Sequence, residues 1–125
     1  MSSGQPYQEL DPVPPDRQSA FKEEVPGPSG EIIITRDSGF LGGGCYFAAL
    51  VDGVVAARLA QGEYVKLKVK AGEHIVGLAT DRQGKGMCSS GYDQFEQSVI
   101  VNSGETKRFR MQSGPGGFDI KPTTL

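Results

Sequence analysis

The sequence predicts an all-β fold: an antiparallel β-sandwich of about seven or eight short strands behind a proline-rich N-terminal segment. Three observations predict it. Short apolar runs, β-branched or alternating, recur beyond residue 30, and turn residues separate them at intervals of about 8–12 residues. No stretch carries the apolar stripe of a ten-residue helix. Short strands of this kind bury one face each, so two sheets must cover one another's apolar sides.

Residues 1–30 are read as a flexible tether and residues 31–125 as the sandwich domain. The first segment contains Pro6, Pro12, Pro14, Pro15, Pro26 and Pro28. Proline fixes φ and removes a backbone donor, which argues against a helix or a central strand there. Ala20 to Glu24 has room for one helical turn, and Tyr7, Leu10 or Phe21 could dock on the domain. The first strand is Ile32-Ile33-Ile34-Thr35, a β-branched run that suits burial on both faces. Cys45 to Val51 follows a glycine-rich loop and meets Asp52-Gly53, a pair favoured in tight hairpins because both residues tolerate positive φ. Val54 to Leu59 returns antiparallel. Val65 to Lys70 alternates strictly, placing Val65, Leu67 and Val69 inward and Lys66, Lys68 and Lys70 outward. Ala71-Gly72 turns the chain into a strand from His74 to Thr80. Gln94 to Val101, Thr106 to Met111 and Phe118 to Ile120 complete the set. A Gly-Glu pair recurs between successive strands, at Gly72-Glu73 and Gly104-Glu105, and reads as turn chemistry.

Several classes of function fall away. A chain of 125 residues is one small domain, and a net charge of −2 does not fit a basic nucleic-acid-wrapping module. No apolar run approaches the roughly 20 residues of a bilayer-spanning helix. One histidine, His74, excludes sites that need two imidazoles, HExxH zinc proteases among them. There is no P-loop around Gly84-Lys85, and Gly42-Gly43-Gly44 leads into a strand, not into a phosphate-binding helix. No GxSxG elbow occurs, so Ser89 and Ser90 read as loop serines. No catalytic residue, cofactor or metal ligand is assigned.

Cys45 and Cys88 have 42 residues between them, which matches neither a CxxC pair nor a zinc ribbon. The expectation is one structural disulfide in an exported protein, with two buried thiols in a cytosolic one as the alternative. A thiol enzyme would need one of these cysteines free and close to His74.

The run Gly30-Glu31-Ile32-Ile33-Ile34-Thr35-Arg36-Asp37-Ser38-Gly39-Phe40-Leu41-Gly42 carries a resemblance. The Val51-Asp52-Gly53 hairpin, Gln61-Gly62-Glu63-Tyr64-Val65, Ala71-Gly72-Glu73-His74 and Gly104-Glu105 extend it in the same order. Together they resemble the bacterial lipoprotein-type family catalogued as domain of unknown function 2846, over about two-thirds of the chain. The family often has proline where this chain has Asp37, and this chain lacks the lipid-bearing cysteine. Met1-Ser2-Ser3-Gly4 before a proline-rich segment looks like the start of a mature lipoprotein whose signal and lipidated cysteine have been replaced by methionine. The resemblance implies a β fold and a periplasmic or outer-membrane location through a lipid anchor. It implies no reaction.

The functional expectation is a non-enzymatic envelope module that binds a protein or an envelope polymer, not nucleic acid. Its candidate surface is the pair of glycine-rich loops from Asp37 to Gly44 and from Arg82 to Tyr92, with Arg36, Asp37, Arg82, Lys85 and Tyr92 as candidate binding residues. Two alternatives are a periplasmic or secreted inhibitor of a hydrolase and a cytosolic ligand-binding β-module with free thiols.

Overall fold

A computed structural model describes residues 6–37, 44–81, 83–84, 94–114 and 117–125. Among them nine strands form two sheets: β1 (Asp11–Pro12), β2 (Ser29–Arg36), β3 (Phe47–Val51), β4 (Val54–Leu59), β5 (Glu63–Lys70), β6 (Gly72–Thr80), β7 (Gln94–Val101), β8 (Thr106–Gly114) and β9 (Gly117–Pro122). The five-stranded sheet has the order β1-β5-β2-β8-β9, and the four-stranded sheet has the order β4-β3-β6-β7. The architecture is the all-β sandwich that the strand pattern predicts.

Strand pairing follows from how often the chain reverses. Every connection from β2 to β9 turns the chain back on itself, so strands an odd number of steps apart run antiparallel. Strands β2 and β8 are six steps apart and adjacent, and they pair in parallel, from Glu31 opposite Thr106 to Arg36 opposite Met111. The pair β1–β5 is also parallel, and the five remaining pairings are antiparallel.

The core lies between the sheets and obeys the alternation of each strand. Ile32 and Ile34 of β2, Val65, Leu67 and Val69 of β5, and Phe109, Met111 and Ile120 of β8 and β9 meet Phe47, Ala49, Val51, Leu59, Val76 and Leu78 of the other sheet. Ile33 is buried as well, on the outer side of β2, which agrees with the expectation of a strand covered on both faces. Asp52 and Gly53 join β3 to β4 with φ of 53° and 79°, the left-handed geometry expected of a two-residue hairpin. The recurring Gly-Glu turns both move the chain between sheets. Gly72-Glu73 carries it from the five-stranded to the four-stranded sheet, and Gly104-Glu105 carries it back. At the second turn the Glu105 carboxylate accepts the backbone N–H and the side-chain amide of Asn102.

Residues 6–28 depart from the expected tether. This segment is a strap laid along the seam between the outer edges of β5 and β4. The N–H groups of Asp11 and Val13 donate to the carbonyls of Gly62 and Tyr64 at 2.9 and 2.8 Å, and Lys68 N–H donates to the Phe21 carbonyl at 2.9 Å. The Gln18 amide donates to the Lys66 carbonyl. On the β4 side Ser19 N–H donates to the Ala56 carbonyl at 2.8 Å, and Gln18 forms a bridge with Ala57. Leu10 and Val13 are buried, and Phe21 packs on the core. Proline prevents a regular strand, but alternating donors and acceptors still find the two sheet edges. Ala20–Glu24, which has room for a helical turn, forms none; the 3-10 turns of this segment lie at Tyr7–Glu9 and Pro15–Arg17, and Phe21 has φ of 60°. Nor does residue 30 mark a boundary, because β2 begins at Ser29.

Candidate functional site

Strand register places the stems of both candidate loops at one end of the sandwich. Arg36 at the end of β2 lies opposite Glu63 at the start of β5, and Phe47 at the start of β3 lies opposite both Leu59 and Thr80. The segments 37–46 and 81–93 therefore leave and return at the same end. Residues 38–43, Arg82, Lys85, Cys88 and Tyr92 lie outside the described residues.

The stems of those loops are held by arginines. Arg36 continues the inward alternation of Ile32 and Ile34 and is fully buried. Its Nη1 donates to the carbonyls of Cys45 and Leu59 at 2.7 and 2.6 Å, and its guanidinium lies 4.8 Å from the Phe47 ring centre. One side chain from the five-stranded sheet thus fixes the approach to β3 and the end of β4 in the other. Burial lowers the Arg36 pKa to about 10, and nearby Glu63 partly offsets that effect.

Asp37 is also buried, and its carboxylate accepts from Arg110 Nη2 at 2.7 Å. The sequence reading puts Arg36 and Asp37 on a binding surface. The structure corrects this, because both are enclosed and serve internal bonds. The reason is positional: Arg36 ends, and Asp37 directly follows, a strand buried on both faces.

Two further arginine pairs complete this end. Arg17 of the strap makes a two-pronged bond to the Glu63 carboxylate, 2.7 Å on each side, and also donates to the Arg58 carbonyl. Burial acts to raise the Glu63 pKa, but Arg17 and the Ala60 N–H outweigh it and hold it below the usual carboxylate value. Arg58 makes a second two-pronged bond, to Asp81 at 3.0 and 2.9 Å, just after β6 ends. Asp81 also accepts the N–H of Gln83, which fixes the first step into the 82–93 segment. The Tyr46 ring receives both guanidiniums, Arg17 at 4.4 Å and Arg58 at 4.9 Å from its centre.

Sequence reasoning missed Arg17, Tyr46, Arg58, Glu63, Asp81 and Arg110 as members of this end. An outward position in the β4 alternation marks Arg58 as available for pairing. Nothing in the local pattern marks Arg17, whose partner is 46 residues away.

The other sequence candidates are dispersed. His74 stands at the opposite end of β6 from Thr80, a strand length of about 20 Å, so it does not meet Cys45. It is half-buried, with Nδ1 2.7 Å from Asp52 Oδ2 and Nε2 2.7 Å from the Lys70 carbonyl. Lys66, Lys68 and Lys70 project from the outer face of β5 as expected; Lys68 pairs with Glu24 and Lys66 lies over the Tyr7 ring. Beside them a shallow groove of roughly 560 Å³ runs between strap residues 19–26 and Val69, Lys70 and His74. No cluster of potential metal ligands is found among the described residues, and none of their helices is long and apolar enough to cross a membrane.

No family model matches the chain, and neither the curated proteins nor the solved structures contain a match to it.

Proposed function

We propose that this protein is a non-enzymatic binding module of the bacterial cell envelope that engages a protein or an envelope polymer through the loop end of its sandwich. One observation carries the reading: the stems of two long glycine-rich segments are fixed side by side by buried or half-buried arginines. Arg36, Arg58 and Arg110 hold Cys45, Asp81 and Asp37 in place, each guanidinium engaged in a bond within the fold. Loops carried on stems fixed by a scaffold are the usual arrangement of a recognition surface.

The resemblance to the lipoprotein-type family supports the envelope location. A Cys45–Cys88 disulfide belongs to the same reading. No free thiol is found among the described residues, and Cys88 is the only other cysteine in the sequence. Such a bond would tie the two loops together and would suit an oxidising compartment.

The test is co-sedimentation with purified cell-wall sacculi and pull-down from solubilised envelope proteins. It compares the native chain with an Arg82→Ala, Lys85→Ala, Tyr92→Ala triple variant. The reading expects the native chain to be retained and the triple variant to be lost, with a Glu73→Ala control at the far end unaffected. Equal retention of native and triple-variant chains would overturn it, as would no retention of the native chain on either material.

A further inference from the structure

A sandwich of two open sheets has four edge strands, and an unprotected edge is a template for pairing with another chain. Among the described residues, three of the four edges are blunted. β1 is two residues long and includes Pro12, and the strap that continues from it bonds the β5 edge again at Lys66 and Lys68. β4 carries the strap's hydrogen bonds and lies beside a register shift at Ala49/Leu50. β9 bears Asp119 and Lys121 and ends at Pro122.

β7 has none of these devices. It runs for eight residues, Gln94-Phe95-Glu96-Gln97-Ser98-Val99-Ile100-Val101, with no proline, no lysine and a single charge. Its pairing with β6 is continuous from Gly72–Val101 to Ala79–Gln94, without a bulge. Among the described residues no strand pairs with its other side. Ile100 is 61% exposed and Ile75 of neighbouring β6 is 43% exposed, so apolar surface accompanies the open edge.

We propose that β7 is a dimerisation edge, and that two copies pair β7 antiparallel about a two-fold axis into one continuous eight-stranded sheet. The strand is self-complementary. Residues directly opposite in an antiparallel pair share a face. On β7 the even-numbered positions face outward with Glu73, Ile75 and Gly77 of β6, and the odd-numbered ones face the core with Val76 and Leu78. An axis through Gln97 preserves this division. It sets Phe95 opposite Val99 of the second copy, Glu96 opposite Ser98, and Gln94 opposite Ile100. No like charges meet, because the only carboxylate of the strand faces a hydroxyl. The same axis points the two loop ends in opposite directions and leaves both free, so the dimer is independent of the binding function proposed above.

Ser98 supplies the test, since it is exposed and the register places it against Glu96 of the other copy. Sedimentation equilibrium from low micromolar to millimolar concentration should show the native chain moving from 13.3 kDa to twice that mass. Ser98→Glu creates two carboxylate–carboxylate oppositions per dimer, and Ser98→Lys creates two opposite-charge pairs. The first should weaken association and the second strengthen it, each by a factor of about two to thirty, with circular dichroism unchanged in both. A native chain that stays monomeric throughout would overturn the proposal, even if it bound an extended peptide from another protein. A dimer that responds equally to both substitutions would overturn it as well.

Discussion

At the scale of single residues, Arg36 and His74 show how a charged side chain becomes part of the fold. Arg36 donates to the Cys45 carbonyl just before β3 and to the Leu59 carbonyl at the end of β4, from an inward position of β2. Arg36→Ala would leave both carbonyls without this donor and open a cavity, and should cost about 3–5 kcal/mol of stability in urea unfolding. Arg36→Met restores most of the volume but not the donors, so it should recover only part of that loss. His74 faces two groups that only accept, the Asp52 carboxylate and the Lys70 carbonyl, so both bonds are made at once only by the imidazolium. Burial opposes that charge, but the two hydrogen bonds prevail and raise the His74 pKa. A cation favoured in the folded state contributes fully below the ordinary imidazole value of about 6.5, and the contribution is lost as pH rises through the raised folded value. The native chain should therefore lose more stability than a His74→Gln chain between about pH 6 and pH 8, measured as the shift in unfolding midpoint of each. Identical shifts would show that the pair carries no linked charge.

At the scale of elements, the strands are largely readable from sequence because period-two alternation reports which face is buried. All eight expected strands are present, as β2 to β9, and Val65, Leu67 and Val69 face the core as read. The strap is not readable in this way. Its proline content excludes regular pairing but says nothing about irregular pairing to two edges at once, which depends on where β4 and β5 lie. Hydrogen exchange distinguishes a strap from a tether: the Val13 and Ser19 amides, bonded to Tyr64 and Ala56, should exchange far more slowly than an unstructured chain. Val13→Asp places a carboxylate in the core and should cost about 3 kcal/mol or more. It should also promote aggregation, because loosening the strap uncovers two sheet edges. Unchanged solubility and stability in that variant would show that the strap is dispensable.

At the scale of the whole molecule, the loop end is held by pairs far apart in sequence: Arg17 with Glu63, Arg58 with Asp81, and Asp37 with Arg110. The proposed Cys45–Cys88 bond would add a covalent tie at the same end. A bond closing a loop of this size restricts the unfolded chain by about 4 kcal/mol, so reduction should lower the unfolding free energy by about that amount. It should also add two hydrogens to the intact mass. Rapid labelling of both thiols in the untreated protein would remove the disulfide and with it the argument for an oxidising compartment.

Local sequence by itself determined the strands, the Asp52-Gly53 hairpin, the Gly-Glu turns and hence the sandwich, since each rests on residues within a few positions of one another. Only the tertiary structure decided that Arg36 and Asp37 are interior, that the N-terminal segment laces two edges, and that among the described residues no strand pairs with the outer side of β7. These depend on which strands become neighbours, and neighbour choice is set by sheet order and by the parity of chain reversals. Alternation in a single strand specifies a buried side, but it carries no information about what will be found there.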